Sequence, residues 1–252
     1  MAGDLADSDR QIGAALVAQG HLDDALAAYR DSLAITKPLA LKDPDNAQWQ
    51  RDLAASNEGI GDALKAQGNL DEAVAAYRDD LATRKALAQM DSTNAERQDD
   101  LAASELRMGG VLVAQSHLDD ASAAFNDALA IAKKLVLKDP SSTEWQRDLS
   151  ESSEGIGDLL KAQGHPGEAL AAYREGLTIR KTLAEKDPGN VLWQTDLASS
   201  LQKVASVGGE PEVNLAEAIA ILKRLEAAGT LWPEKKTLIP DVGAALATVR
   251  SQ

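Results

Sequence analysis

One register of residues returns along this chain every 48 positions, and that period limits the folds open to it more than any other feature. Ile12-Gly13 returns as Ile60-Gly61, Met108-Gly109 and Ile156-Gly157, and Tyr29 returns as Tyr77, Phe125 and Tyr173. Residues 46–93 and 142–189 align without gaps and share 28 of 48 positions.

Each unit reads as two helices. In the second unit Asp45 is placed to cap the first helix, with Gln48 three residues on as in a capping box. Thr93 with Glu96 and Ser141 with Glu144 repeat this, while Gly189 takes the place in the fourth unit, where Leu192 breaks the box. Trp49, Leu53, Ser56, Ile60 and Leu64 then follow at helical spacing. Gly68 suits the residue just past a helix end. Asn69 is placed to cap the second helix, with Glu72 completing a box, and Ala73, Tyr77, Leu81 and Leu87 continue the apolar stripe. Lys42, Lys138 and Lys186 fall where the negative end of a helix dipole would lie. Asp43-Pro44, Asp139-Pro140 and Asp187-Pro188 stop the helices there. The spacing predicts eleven helices in antiparallel hairpins of matched length, and no strand. Tyr29, Tyr77, Phe125, Tyr173, Leu53 and Ile60 should be buried.

The stretch Ile60-Gly61-x-x-Leu64-x-x-x-Gly68, then Ala73 and Tyr77, resembles the tetratricopeptide repeat. Asn57 stands where that family carries an early tryptophan, and Ser116 replaces the second glycine in the third unit. The units are longer than the family's usual 34 residues by about four helical turns, two for each helix. The resemblance spans residues 3–187 and looks like the long-helix variants of bacterial repeat arrays and, more loosely, kinesin light chains. It implies an all-α solenoid of stacked antiparallel hairpins, a right-handed superhelix over 1–252. Its units are about 1–45 (first helix short), 46–93, 94–141 and 142–189, with divergent capping helices in 190–252.

At the ends, Gly3-Asp4-Leu5 aligns with Arg51-Asp52-Leu53, so the first helix starts partway, as in a short first unit or a piece of a longer protein. Asp196-Leu197 and Ser200 open a fifth unit that diverges after Gly208-Gly209-Glu210-Pro211. Helices are expected over 213–228, closed by Gly229, and over 234–250, bent at Pro240.

Aromatic residues are only 3% of the chain, so alanine and leucine must supply most of the core. The net charge of −14 disfavours nucleic acid and anionic membranes, and no apolar run reaches the length of a membrane span. With no cysteine the chain has no disulfide, thiolate metal site or cysteine nucleophile, which suits a cytoplasmic protein.

Little in the sequence points to chemistry. Asp-Leu-x-x-Ser recurs at Asp4, Asp52, Asp100, Asp148 and Asp196. Its serines fit close helix packing with a bond back to the i−4 carbonyl, and its aspartates fit ties between neighbouring helices. His21, His117 and His165 share one turn position on successive hairpins, too far apart to share a metal. Trp49, Trp145 and Trp193 share a position at core spacing, with Arg97 in the third unit. No phosphate loop, zinc-ligand set or nucleophile motif appears, so neither an enzyme nor a cofactor is expected.

The family lines its concave surface with first helices, and the resemblance carries that face onto particular positions. They are Arg51, Ala55, Glu58, Asp62 and Lys65 in the second unit, and Arg147, Glu151, Glu154, Asp158 and Lys161 in the fourth. In the third they are Asp99, Ala103, Leu106, Gly110 and Val113, and in the first Asp7, Arg10, Ala14 and Val17. Charged units thus alternate with apolar ones, as duplication of a two-hairpin ancestor would leave them. The carboxylates at clamp-type positions do not support the carboxylate grip of some family members. A scaffold is expected that binds a basic or amphipathic protein segment: Glu58, Asp62, Glu154 and Asp158 would meet its positive groups, and Leu106 and Val113 its apolar anchor. The alternative is a regulatory or sensor segment of a larger bacterial signalling or effector protein. End-to-end self-association is a further possibility.

Overall fold

First helices start one residue later than the capping boxes imply. In the computed structural model, which describes residues 2–232 and 235–251, the caps are Asn46, Asn94, Ser142 and Asn190. Each accepts a hydrogen bond from the backbone three residues on, at Trp49, Arg97, Trp145 and Trp193. Asp45, Thr93, Ser141 and Gly189 belong instead to the turn before, where Asp91, Asp139 and Asp187 accept from the backbone N–H of Thr93, Ser141 and Gly189. Gln48, Glu96 and Glu144 are therefore second helical residues, too early to close a box.

The first hairpin is α1 (Ala2–Ala18) and α2 (Leu22–Lys42); the second is α3 (Ala47–Ala66) and α4 (Leu70–Met90). The third is α5 (Ala95–Ala114) and α6 (Leu118–Lys138); the fourth is α7 (Thr143–Ala162) and α8 (Pro166–Lys186). Then come α9 (Val191–Ala205), α10 (Pro211–Ala227) and α11 (Leu238–Arg250). No strand occurs among the described residues. Within hairpins two to four the helices match, at 20 and 21 residues.

Within a hairpin the turn is three residues long, and its middle residue has positive φ: Gly20, Gly68, Ser116 and Gly164. The next N–H then reaches back to close the helix, as Asn69 N–H does to Leu64 O at 2.9 Å. The second helices begin at His21, Asn69 and His165 without a side-chain cap, so the expected Asn69–Glu72 box does not form. Asn69 Nδ2 donates to Gln67 instead.

The chain divides into two compact units, 1–131 and 132–252, the cut falling inside α6. In the first, α1 to α5 pack in chain order and α1 also touches α3, the pattern of stacked hairpins. In the second, α7 packs on α8, α8 on α9, α9 on α10 and α10 on α11. The fold is all-α, and within each unit the helices pack on their sequence neighbours as in stacked hairpins.

Tyr29, Tyr77, Phe125, Tyr173 and Ile60 are buried as expected. Leu53 is only half-buried, because it borders a recess between α2 and α4. The helix expected at 213–228 starts two residues earlier, with Pro211 in its first turn, where a missing N–H costs nothing. Gly229 closes it as expected. Pro240 also lies in a first turn, that of α11, so it bends nothing. Residue 234, the expected start of that helix, lies outside the described residues.

Candidate partner-binding face

The first helices meet the second through glycines that make room for rings. A Cβ on Gly61 would come 2.5 Å from Tyr77 Cε1, and Gly13, Gly109 and Gly157 stand in the same relation to Tyr29, Phe125 and Tyr173. Seated there, Tyr77 donates its hydroxyl to Asp62 Oδ1 at 2.6 Å, and Tyr173 donates to Asp158 Oδ1 at 2.7 Å. Burial, with the facing carboxylate, pushes both hydroxyls up, so each keeps its proton. Burial also raises Asp62, against the opposing pull of the Tyr77 hydrogen bond. In the third hairpin the pair vanishes together: Gly110 replaces the aspartate and Phe125 the tyrosine.

Behind this layer each unit buries a charge network. In the first, Arg84 Nε donates to Asp80 at 2.7 Å, while its other nitrogens lie 2.5 Å from Glu58 and 2.9 Å from Asp100. Ser104 donates to the second oxygen of Asp80, and Arg107 reaches Glu58 at 2.5 Å. In the second, Gly176 stands at the Asp80 position, and Glu154 occupies the vacated space. Glu154 is 4% exposed, lies 2.8 Å from Arg180 Nε, and accepts from Ser200. Lys203 reaches Glu154 at 3.5 Å and Asp158 at 2.7 Å. Arg180 and Arg147 both hold Asp196, at 2.8 and 2.7 Å.

The expected face is thereby corrected. Glu58, Asp62, Glu154 and Asp158 do meet positive groups, but those groups are this chain's own: Arg84, Arg107, Arg180 and Lys203. Glu154 is buried and offers a partner nothing. Arg147 is tied to Asp196, Lys161 donates to Ser206 at 3.0 Å, and Arg51 reaches Gln48 at 2.8 Å and Glu96 at 3.8 Å. Lys65 is exposed beside Gly110, whose Cβ would lie 3.6 Å from its Nζ. Leu106 and Val113 are half-buried. The two units therefore carry the same motif, but only the first adds the apolar strip of α5.

Three of the five repeated aspartates find the ties expected of them: Asp52 accepts from Arg10 at 3.2 Å, Asp100 meets Arg84, and Asp196 meets Arg180. Ser8, Ser56 and Ser152 bond back to the i−4 carbonyl, whereas Ser104 and Ser200 donate to buried carboxylates. Sequence reasoning missed Asp80, Arg84, Arg107, Arg180 and Lys203. Their signal was a 96-residue recurrence of cations, Arg84 with Arg180 and Arg107 with Lys203, at positions that are not cationic in the other hairpins. His21, His117 and His165 are exposed, and no group able to hold a metal occurs among the described residues. Trp49, Trp145 and Trp193 are half-buried.

Residues 54–89 match the family model of the tetratricopeptide repeat. This confirms the resemblance first seen in Ile60, Gly61, Leu64, Gly68, Ala73 and Tyr77: the second hairpin is a tetratricopeptide repeat. Among solved structures, BtubC (BKLC) from P. vanneervenii superposes with a TM-score of 0.62 at 17% identity, over 90% of this chain and 82% of that one. A kinesin light chain candidate of Podosopora anserina, with nearly identical TPR-like repeats, gives 0.60 at 18% identity over 90% and 98%. These likenesses show the fold. Among curated proteins no match was found. Tetratricopeptide repeats generally mediate protein–protein interaction, and no helix among the described residues is long and apolar enough to cross a membrane.

Proposed function

We propose that the chain is a protein-interaction scaffold, without catalytic activity, that takes a partner segment on its first-helix face. The observation that carries this reading is the strip Leu106–Gly110–Val113 on α5, half-exposed beside the exposed ammonium of Lys65. Anchors of this kind hold complexes together, whereas rim charges steer them. Because the carboxylates on this face are already neutralised from within, an amphipathic segment fits better than a basic one. The cysteine-free sequence suits a cytoplasmic setting. The array could equally serve as the sensing segment of a larger signalling protein, since its binding face would be the same.

The test is surface plasmon resonance on a partner captured with the intact chain. Leu106→Asp should speed dissociation at least about tenfold, the scale of a hot-spot loss, while helical circular dichroism stays unchanged. Binding indistinguishable from the parent would remove this face from consideration.

A further inference from the structure

Two equivalent seams of the first unit differ by one carboxylate. At the later seam Lys85 Nζ on α4 lies 2.8 Å from Glu105 Oε1 on α5, and Glu105 is buried, with Asp127 close enough to act on its charge. Forty-eight residues earlier the same three positions are Lys37, Asn57 and Asp79. Asn57 is 6% exposed, and its amide makes no hydrogen bond among the described residues. Lys37 is exposed and has no carboxylate in ion-pair reach among them. The shorter, uncharged side chain leaves a recess of about 300 Å³ between Leu33 and Lys37 of α2, Leu53 and Asn57 of α3, and Asp79 and Ala82 of α4.

We propose that this recess binds the carboxylate of a glutamate side chain presented by a partner protein, filling from outside the place that Glu105 fills at the next seam. The Lys37 ammonium and the Asn57 amide would both donate to it, and its methylenes would lie on Leu33, Leu53 and Ala82. The Asn57 amide still meets solvent, so an incoming acceptor takes the place of water there, and the charge-assisted bond from Lys37 adds to it. Asp79 opposes the ligand's charge as Asp127 opposes that of Glu105, where Lys85 acts more strongly than Asp127. Aspartate falls one methylene short, and glutamine lacks the charge that makes the lysine bond strong. The recess lies between second helices, so it stands apart from the first-helix face and does not depend on it.

The probe is glutamate blocked as its N-acetyl amide, titrated into the isotopically labelled full chain while the Asn57 side-chain amide is followed by NMR. The Asn57 signals should shift saturably, with blocked glutamine binding at least about tenfold more weakly, as loss of a charged hydrogen bond implies. Lys37→Ala should weaken the response to the same degree. Asn57→Glu rebuilds the internal pair, so it should abolish the response while the melting temperature holds or rises, which separates an occluded recess from an unfolded chain. A non-saturating shift, an equal response to blocked glutamine, or a response that survives in a folded Asn57→Glu chain would each overturn the proposal.

Discussion

Glu154 fills the space that Gly176 leaves open: a Cβ on that glycine would lie 3.0 Å from Glu154 Cγ and 2.9 Å from the Ser150 carbonyl oxygen. In the other unit the place of Gly176 is held by Asp80, and Glu58 need only share Arg84 with it. One carboxylate has moved from the second helix to the first, and the buried arginine is ion-paired either way.

The two glutamates should therefore differ in worth. Removing one partner of a buried ion pair costs about 3–5 kcal/mol, and Glu154→Ala should approach that, leaving Arg180 with Asp196 alone. Glu58→Ala should cost clearly less, since Asp80 and Asp100 remain on Arg84. Chemical denaturation of both variants decides it; equal losses would show that the two networks are not alternatives.

Tyr77→Ala should cost about 3–5 kcal/mol, the usual result of deleting a buried aromatic ring. Tyr77→Phe keeps the packing and loses only the hydroxyl to Asp62, so about 1 kcal/mol is expected. Gly61→Ala drives a methyl into the ring and should cost about 1–3 kcal/mol. Urea denaturation should return that order; a neutral Gly61→Ala would mean the ring can withdraw.

Much of this was legible in the sequence. The 48-residue period, the glycine–aromatic pairs and the Gly68-type turns announced hairpins, because each rests on contacts local enough to leave a residue signature. The capping residues were misplaced by one, since Asp-Pro-x-x and Thr or Ser before the helix offer two adjacent oxygens, and only backbone geometry chooses between them. The charge networks were less visible. Glu58 and Glu154 occupy positions that would face a partner, and what withdraws them is Arg107 and Lys203, one hairpin further on. A stripe read along one helix does not reveal its cross-helix neighbours.

Ser116 carries φ of +62° at the turn position that is glycine in the other three hairpins. A non-glycine residue there costs about 1–2 kcal/mol. Ser116→Gly should raise stability by roughly 1 kcal/mol after the added freedom of the unfolded chain is offset. Thermal unfolding checks this, and a loss of stability would show that the serine makes a compensating contact.

Burial raises the carboxyls of Asp80, Asp100 and Glu105 in spite of Arg84 and Lys85 beside them. Each binds its proton more tightly folded than unfolded, so its contribution to stability is fullest below the ordinary carboxylate range and is lost as pH rises through the elevated value. Relief of the −14 net charge acts in the same direction. Asp91 and Asp139, lowered by hydrogen bonds from Thr93 and Ser141, act oppositely but are fully exposed. The melting temperature should fall as pH rises from the ordinary carboxylate range towards neutrality, and Glu105→Gln should flatten the fall. A lower melting temperature at the acid end would contradict this balance.

The most direct test of the scaffold reading is photo-crosslinking from two positions of the folded chain. A benzophenone amino acid replaces either Leu106, on the first-helix face, or Arg174, exposed on the second helix of the fourth hairpin and not lining the α2–α4 recess. With a captured partner, crosslinks are predicted from position 106 and not from position 174. Crosslinks from position 174 alone would place the partner on the second helices and contradict the account.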